Sequence, residues 1–229
     1  MNKTRIARIE YIIAMIIYGT SGCFSKYIGV PAGFMVFSRA IIGSIILTLY
    51  LLIRRQKVNF EAIKKNLLWL ILGGASIGCN WMCLFSSYNL ISVSVASLCN
   101  YLAPALFIVV TVFLFKEKLS LTKILCVLVA LVGIVLLSGI IGDNNNLNSL
   151  GVILGICAAI FYVGILLFNK FIHDIDPIEK ALIELMVVGV VTAPYAFISL
   201  DYNNLNFDLT NIILLLILGI FHTGIAYIL

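Results

Sequence analysis

The sequence predicts an all-α polytopic membrane protein. Three observations carry that reading. Hydrophobic residues make up 62% of the chain and charged residues 11%. The mean hydropathy is +1.15. Lys and Arg collect in alternate gaps between long apolar runs. A soluble domain sits nearer half apolar and a quarter charged, and here the excess runs along the whole length rather than marking one core. The net charge of +5 falls in short loops, where the positive-inside rule accounts for it, so it gives no footing for nucleic acid.

Eight apolar segments follow in order: Ile9–Ile28, Ala32–Ile53, Asn66–Leu90, Val93–Phe115, Ile124–Ile141, Leu150–Phe171, Ile178–Leu200 and Ile212–Leu229. Most are apolar all round, as expected when lipid covers one face and protein the other. The first follows Lys3, Arg5 and Arg8 and superficially resembles a signal peptide. Thr20-Ser21-Gly22-Cys23 is faintly like a lipoprotein cleavage site but lacks its usual Leu. The run continues straight into further spans, so it reads as an uncleaved first helix. The fourth opens on small residues, Ser92, Ser94, Ala96 and Ser97, carries Pro104, and stops at Lys116-Glu117-Lys118. At about 1.5 Å per residue it crosses a hydrocarbon core of roughly 30 Å.

Charge sets the expected orientation. Lys3, Arg5 and Arg8, then Arg54, Arg55, Lys57, Lys64 and Lys65, then Lys116, Lys118 and Lys123, then Lys170 and Lys180 all fall on one side: thirteen of the fifteen Lys and Arg residues. That side reads as cytoplasmic, with the N-terminus on it. The opposite loops hold Asp143, Asp201 and Asp208, with Lys26 and Arg39 near their membrane edges.

A long-period repeat is visible. Tyr18, Phe24, Lys26 and Ile28 match Tyr162, Phe168, Lys170 and Ile172 at an offset of 144. After a two-residue insertion, Pro31 matches Pro177, Gly43 matches Gly189, Gly78 matches Gly224, and Leu70-Ile71-Leu72-Gly73 recurs as Leu216-Ile217-Leu218-Gly219. Residues 1–142 read as a five-span repeat and 149–229 as an incomplete second one. Five is odd, so the second unit enters the membrane from the other side. The expectation is inverted five-helix repeats, ten spans in the full form, about eight here with the last one cut. Leu229 corresponds to Cys83 in the third span, so a fragment or truncated product is expected.

Several residues are candidates for a site. Pro104 removes a backbone hydrogen bond; it is either a hinge opening backbone to a cavity, with Asn100 and Tyr101 one turn earlier on the same side, or a static kink. Asn80, Trp81, His222 and Tyr227 are polar or amphipathic groups at membrane depth; they read as hydrogen-bonding glue between helices or as cavity lining. Tyr18 joins the cavity candidates. Glu184 lies about two turns inside its span, where a carboxylate is functional by default, unless it pairs with its i−4 neighbour Lys180 or reaches the interface. Lys26 and Arg39 read as outer-edge residues that snorkel to headgroups, or as an entrance site for a carboxylate. These three charges are the gating or coupling candidates. Gly74-x₃-Gly78 and Gly151-x₃-Gly155 permit close helix contact.

Other chemistry finds no support. Cys23, Cys79, Cys83, Cys99, Cys126 and Cys157 all lie inside predicted spans and read as small packing residues; Cys79 and Cys83 have no matching pair to complete a metal site. No cofactor is expected. There is no Walker loop, HExxH, GxSxG or dinucleotide fingerprint, and no gap long enough for a catalytic domain, so the chain reads as a non-enzyme.

Tyr18-Gly19-Thr20-Ser21 to Lys26, Pro31 to Phe37-Ser38-Arg39, and Ser94-Val95-Ala96-Ser97-Leu98 through Tyr101-Leu102-Ala103-Pro104 to Phe115-Lys116-Glu117-Lys118-Leu119-Ser120 resemble the span signatures of EamA-type transporters of the drug/metabolite transporter superfamily. The chain departs from the pattern in Tyr18, where Trp is usual. The resemblance implies a ten-span permease of the bacterial cytoplasmic membrane, moving small metabolites, amino-acid-like solutes or drugs, usually as efflux. Inverted halves suit alternating access about a midplane site. The alternatives are a flippase or accessory subunit for a lipid-linked precursor, or a non-functional remnant. The expected partners are a small-molecule substrate and the lipid bilayer, with a homodimer left open.

Overall fold

The computed structural model describes residues 3–116, 148–200 and 208–229, together with residues 122, 125, 127–129 and 132–133. Among these all regular structure is helical, and seven helical stretches are long and apolar enough to cross a membrane. The chain is therefore an all-α polytopic membrane protein. Most of the fifth predicted segment, Ile124–Ile141, lies outside the described residues, as do Glu117, Lys118, Lys123, Cys126, Asp143 and Asp201.

The helices are α1 (Lys3–Lys26), α2 (Ala32–Ile53), α3 (Phe60–Leu90), α4 (Val93–Asn100), α5 (Ala103–Phe115), α6 (Ser149–Asn169), α7 (Pro177–Ile198), α8 (Leu209–Gly219) and α9 (Ala226–Ile228), with a π-helical stretch Ile220–Ile225 joining the last two. Their starts follow from side-chain caps. Asn59, Ser92, Asn148, Asp176 and Asp208 each accept a backbone N–H from the first turn of α3, α4, α6, α7 and α8, which satisfies donors that the helix itself leaves unpaired. Pro177 adds its fixed φ at the first position of α7. The Asn59 cap also explains why α3 begins six residues before the apolar run from Asn66: capping, with Glu61 in the first turn, carries the helix into the polar loop.

Glycines set the closest helix contacts. A Cβ on Gly33 would lie 2.5 Å from the Tyr195 ring, and one on Gly189 3.4 Å from Ile41, so α2 and α7 press together. On α3, a Cβ on Gly74 would meet the Glu184 carbonyl at 2.6 Å and one on Gly78 the Thr192 methyl at 3.1 Å, both on α7. On the other side, a Cβ on Gly219 would meet Ile42 at 2.5 Å and one on Gly224 would meet Ile46 at 2.6 Å, both on α2. Gly78 with Thr192 and Gly224 with Ile46 are the same contact displaced by 146 residues, with the two elements exchanged. Small residues at such crossings bring backbones within van der Waals range, which is the main attraction available between helices in lipid.

Two departures from regular helix matter for the site. The predicted single span Val93–Phe115 breaks at Tyr101–Leu102 into α4 and α5. Pro104 stands in the first turn of α5, where its missing N–H and fixed φ cost least, and it leaves the Asn100 carbonyl without its i+4 donor. The π-helical stretch widens the end of α8, and there Thr223 Oγ1 donates to the Leu218 carbonyl five residues back at 3.0 Å. π-helical turns of this kind are uncommon and concentrate at functional sites.

Asparagines tie loops to helices at two places. Asn66 Nδ2 donates to the His173 carbonyl at 2.8 Å while the His173 N–H donates to Asn66 Oδ1 at 3.1 Å, fastening the α6–α7 loop to α3. The Gly29 N–H donates to Asn211 Oδ1 at 2.8 Å, fastening the α1–α2 loop to α8. Gly29 and His173 are repeat-related at the 144-residue offset.

Candidate functional site

A cavity of about 620 Å³ lies between α1, α3, α4, α6, α7 and α9. Its wall includes Tyr18 and Gly22 of α1, Trp81 and Tyr88 of α3, Ser97 of α4, Tyr162 of α6 and Tyr227 of α9. Tyr18 meets Tyr227 edge to face, ring centres 6.4 Å apart and planes at 86°. One end of the lining reaches Asn169, Pro177 and Lys180. At the other end a Cβ on Gly22 would lie 2.7 Å from Val93 and 3.3 Å from the Tyr88 hydroxyl, so α1 sits tight against α3 and α4 there.

Four of the aromatics form two repeat-related pairs. Tyr18 and Tyr162 are 144 residues apart, and Trp81 and Tyr227 are 146 apart. All four line the one cavity.

Asn80 and Asn100 line the cavity too and also join helices. Asn80 Nδ2 donates to Asn100 Oδ1 at 2.9 Å and to the Ala158 carbonyl at 2.7 Å, linking α3, α4 and α6. Both Asn80 amide hydrogens are thus spent on protein, so the interhelical role is the one its donors fill. Tyr88 Oη and Ser97 Oγ are 3.1 Å apart.

Glu184 is a different kind of wall residue. It is only 3% exposed, and among the described residues its Oε1 has no hydrogen-bond partner. The carboxylate borders the cavity, and its Oε1 lies beside α3, where a Cβ on Gly73 would stand 2.8 Å from it. Lys180, one turn earlier, lines the cavity as well.

With this geometry in place, the comparison with known proteins decides the family. The EamA-like transporter family model matches residues 8–139. The chain belongs to the EamA-like transporter family. It is 29% identical, over 97% of its length and 71% of the relative's, to a protein of Bacillus subtilis (strain 168) described as uncharacterized transporter YxxF. A crystal structure described only as that of a protein superposes with a TM-score of 0.70 at 17% identity, covering 96% of this chain and 75% of that one; it shares the fold.

In this EamA-like transporter Tyr101 also lines the cavity, whereas Arg39, His222, Pro104 and Lys26 fall outside its wall. Arg39 does not snorkel. It stands seven residues beyond the first residue of α2, is 3% exposed, and its guanidinium carbon lies 4.4 Å from the centre of the Trp81 ring and 5.2 Å from that of Phe85. Its Nε donates to Thr223 Oγ1 at 3.1 Å and its Nη2 reaches the His222 carbonyl at 3.5 Å. The outer-edge expectation counted residues from the loop and had no way to see that the π-helical turn supplies acceptors at this depth. His222 is buried behind the cavity, with Nε2 3.0 Å from Thr20 Oγ1 and its ring 5.2 Å from Phe24. Pro104 faces outward, and Lys26 is exposed at the end of α1.

Tyr162, Tyr88, Lys180 and Asn169 line the cavity without having been singled out from the sequence. Tyr162 carried a signal, its repeat match to Tyr18. Thr223 carried none, since a lone Thr in an apolar span reads as packing.

Proposed function

We propose that the chain is a secondary transporter that carries a small metabolite, amino-acid-like solute or drug outward across the cytoplasmic membrane, with its N-terminus in the cytoplasm. The two repeat-related units, residues 1–142 and 149–229, act as halves that rock about the cavity and open it to each face in turn. The observation that carries this reading is the placing of Tyr18, Tyr162, Trp81 and Tyr227, two repeat-related pairs, on one cavity wall. Inverted halves presenting like aromatics give a solute similar surroundings in both conformations. Flat ring faces also hold an organic solute without fixing it too tightly to leave.

The test is uptake into everted membrane vesicles from cells expressing the whole gene, screened over radiolabelled amino acids, amines and antimicrobial compounds. At least one solute accumulates only when the protein is present, and Trp81→Ala and Tyr162→Ala each lower its uptake by about tenfold while membrane insertion is unchanged. Identical accumulation with and without the protein across the panel overturns the reading.

A further inference from the structure

The cavity carries an unbalanced set of hydrogen-bonding groups. Two buried oxygens of residues in its wall, Glu184 Oε1 and Asn169 Oδ1, have no partner among the described residues. An amide can turn its NH₂ to the other side. A carboxylate has no such choice, because both of its oxygens are acceptors. Burying such a group without a donor is costly, and the cost falls only when a cation or several donors meet it.

At contact distance the protein does not supply that cation. Lys180 shares the wall, but among the described residues no ion pair within 4.0 Å joins it to Glu184. Arg39 is committed elsewhere: its planar face to Trp81 and Phe85, and its Nε and Nη2 to Thr223 and His222. The rest of the wall is rich in aromatic rings, and ring faces attract cations.

We infer that the cavity recognises an ammonium group on its ligand, taken by the Glu184 carboxylate and flanked by the aromatic rings of Tyr18, Trp81, Tyr162 and Tyr227. This rests on the transporter reading above and names its substrate class. A simple organic amine and a zwitterionic amino acid both carry that group. They differ in whether Lys180 has a carboxylate to meet.

Binding to the purified full chain in lipid nanodiscs tests the inference, by calorimetry with four probes of similar size: phenethylamine, phenylalanine, neutral 2-phenylethanol and anionic 3-phenylpropionate. The amine binds about tenfold or more tightly than the alcohol, the expectation for a charge-assisted hydrogen bond. E184Q removes that preference and E184D keeps most of it. If E184Q does not purify, Gly73→Ala serves, since its methyl displaces Oε1 and must weaken amine binding while leaving the alcohol alone. Phenylalanine binding that falls in Lys180→Gln, with phenethylamine unchanged, assigns the zwitterion; equal binding of the two in both proteins assigns the amine. Equal affinity for amine and alcohol, a preference that survives E184Q, or no binding of either ammonium probe overturns the inference. Vesicle uptake of a solute lacking an ammonium group leaves the transporter reading standing in that case; failure of all uptake removes that reading separately.

Discussion

The Arg39 guanidinium carbon stands 4.4 Å from the centre of the Trp81 ring, so a cation from α2 rests on an aromatic face of α3 inside the bundle. The same guanidinium donates through Nε to Thr223 of the π-helical stretch at 3.1 Å. One side chain of α2 therefore ties α3 to the π-helical stretch. Thr223→Val removes an acceptor from a buried charge, which costs about 1–3 kcal/mol. Arg39→Met removes the charge as well and fills similar space, so it relieves part of the desolvation cost. A double-mutant cycle by thermal unfolding in detergent should give a coupling of about 0.5–3 kcal/mol between the two positions. Strict additivity would mean that the bond contributes nothing.

The two glycines related by the repeat are not equally tolerant. A Cβ at Gly78 would stand 3.1 Å from the Thr192 methyl and in ordinary contact with Val188 at 3.6 Å, which a small adjustment accommodates. Alanine also favours helix over glycine by about 1 kcal/mol. Gly78→Ala is therefore expected to be close to neutral. A Cβ at Gly224 meets the branched Ile46 side chain at 2.6 and 2.7 Å, and Ile46 has few rotamers to escape into. Gly224→Ala is expected to destabilise by about 1–3 kcal/mol. Melting temperatures of the two variants, measured side by side, check the order.

The layout of the membrane helices was legible in the sequence because burial in lipid demands long apolar runs, and α2 begins and ends at the residues that its run predicts. Part of the cavity wall was legible for a related reason: Asn80, Trp81, Asn100 and Tyr227 are polar or amphipathic where only a cavity or a partner keeps them. The exceptions have physical causes. Arg39 looked like an interfacial residue because hydropathy records distance from a loop, not the acceptors a neighbouring helix offers. The π-helical turn left no trace because no residue type in Ile220–Ile225 demands that backbone; in the fold Gly219 and Gly224 pack on Ile42 and Ile46 of α2 there. The break at Tyr101–Leu102 left its mark in Pro104, read from the sequence as either a hinge or a static kink; the proline stands in the first turn of the second helix and is exposed.

Asn80 is expected to be more sensitive than its size suggests. Its Nδ2 bonds the Asn100 side chain and the Ala158 carbonyl, so α4 and α6 both lose a donor when it is changed. Asn80→Leu keeps the volume but takes a donor from Asn100 Oδ1 and a second donor from the Ala158 carbonyl, which keeps its helical bond, at about 1–3 kcal/mol in total before relaxation. Asn80→Asp replaces the donor with an acceptor facing two others and should be worse. Yield of folded protein by fluorescence-detected size exclusion is expected to fall in the order wild type, N80L, N80D. An N80D protein as abundant and as monodisperse as wild type would show that water already serves those acceptors.

Asn66 offers a test of how the α6–α7 loop is held to α3. Its amide mimics a backbone group: it gives a hydrogen to the His173 carbonyl and takes one from the His173 N–H. A third bond, from Nδ2 to the Ala62 carbonyl at 2.9 Å, fixes the side chain for that purpose. Nearby, the Asn59 N–H meets both carboxylate oxygens of buried Glu179 at 3.3 Å, adding a second tie between the start of α3 and α7. Asn66→Ala removes the clamp while leaving this second tie. His173 is exposed, so its freed groups reach water, and the loss of stability should stay near about 1 kcal/mol. The larger effect is expected in local opening. Limited proteolysis within residues 170–176 should accelerate by about fivefold, because interactions lost only in the closed form of the loop shift its opening equilibrium by their full energy. Asn59→Ala weakens the α3 cap instead and should leave cleavage at 170–176 nearly unchanged, which separates release of the loop from general loosening of the helix. If both variants accelerate cleavage alike, the asparagine is not a specific clamp and the loop is held by the packing of the helices on either side.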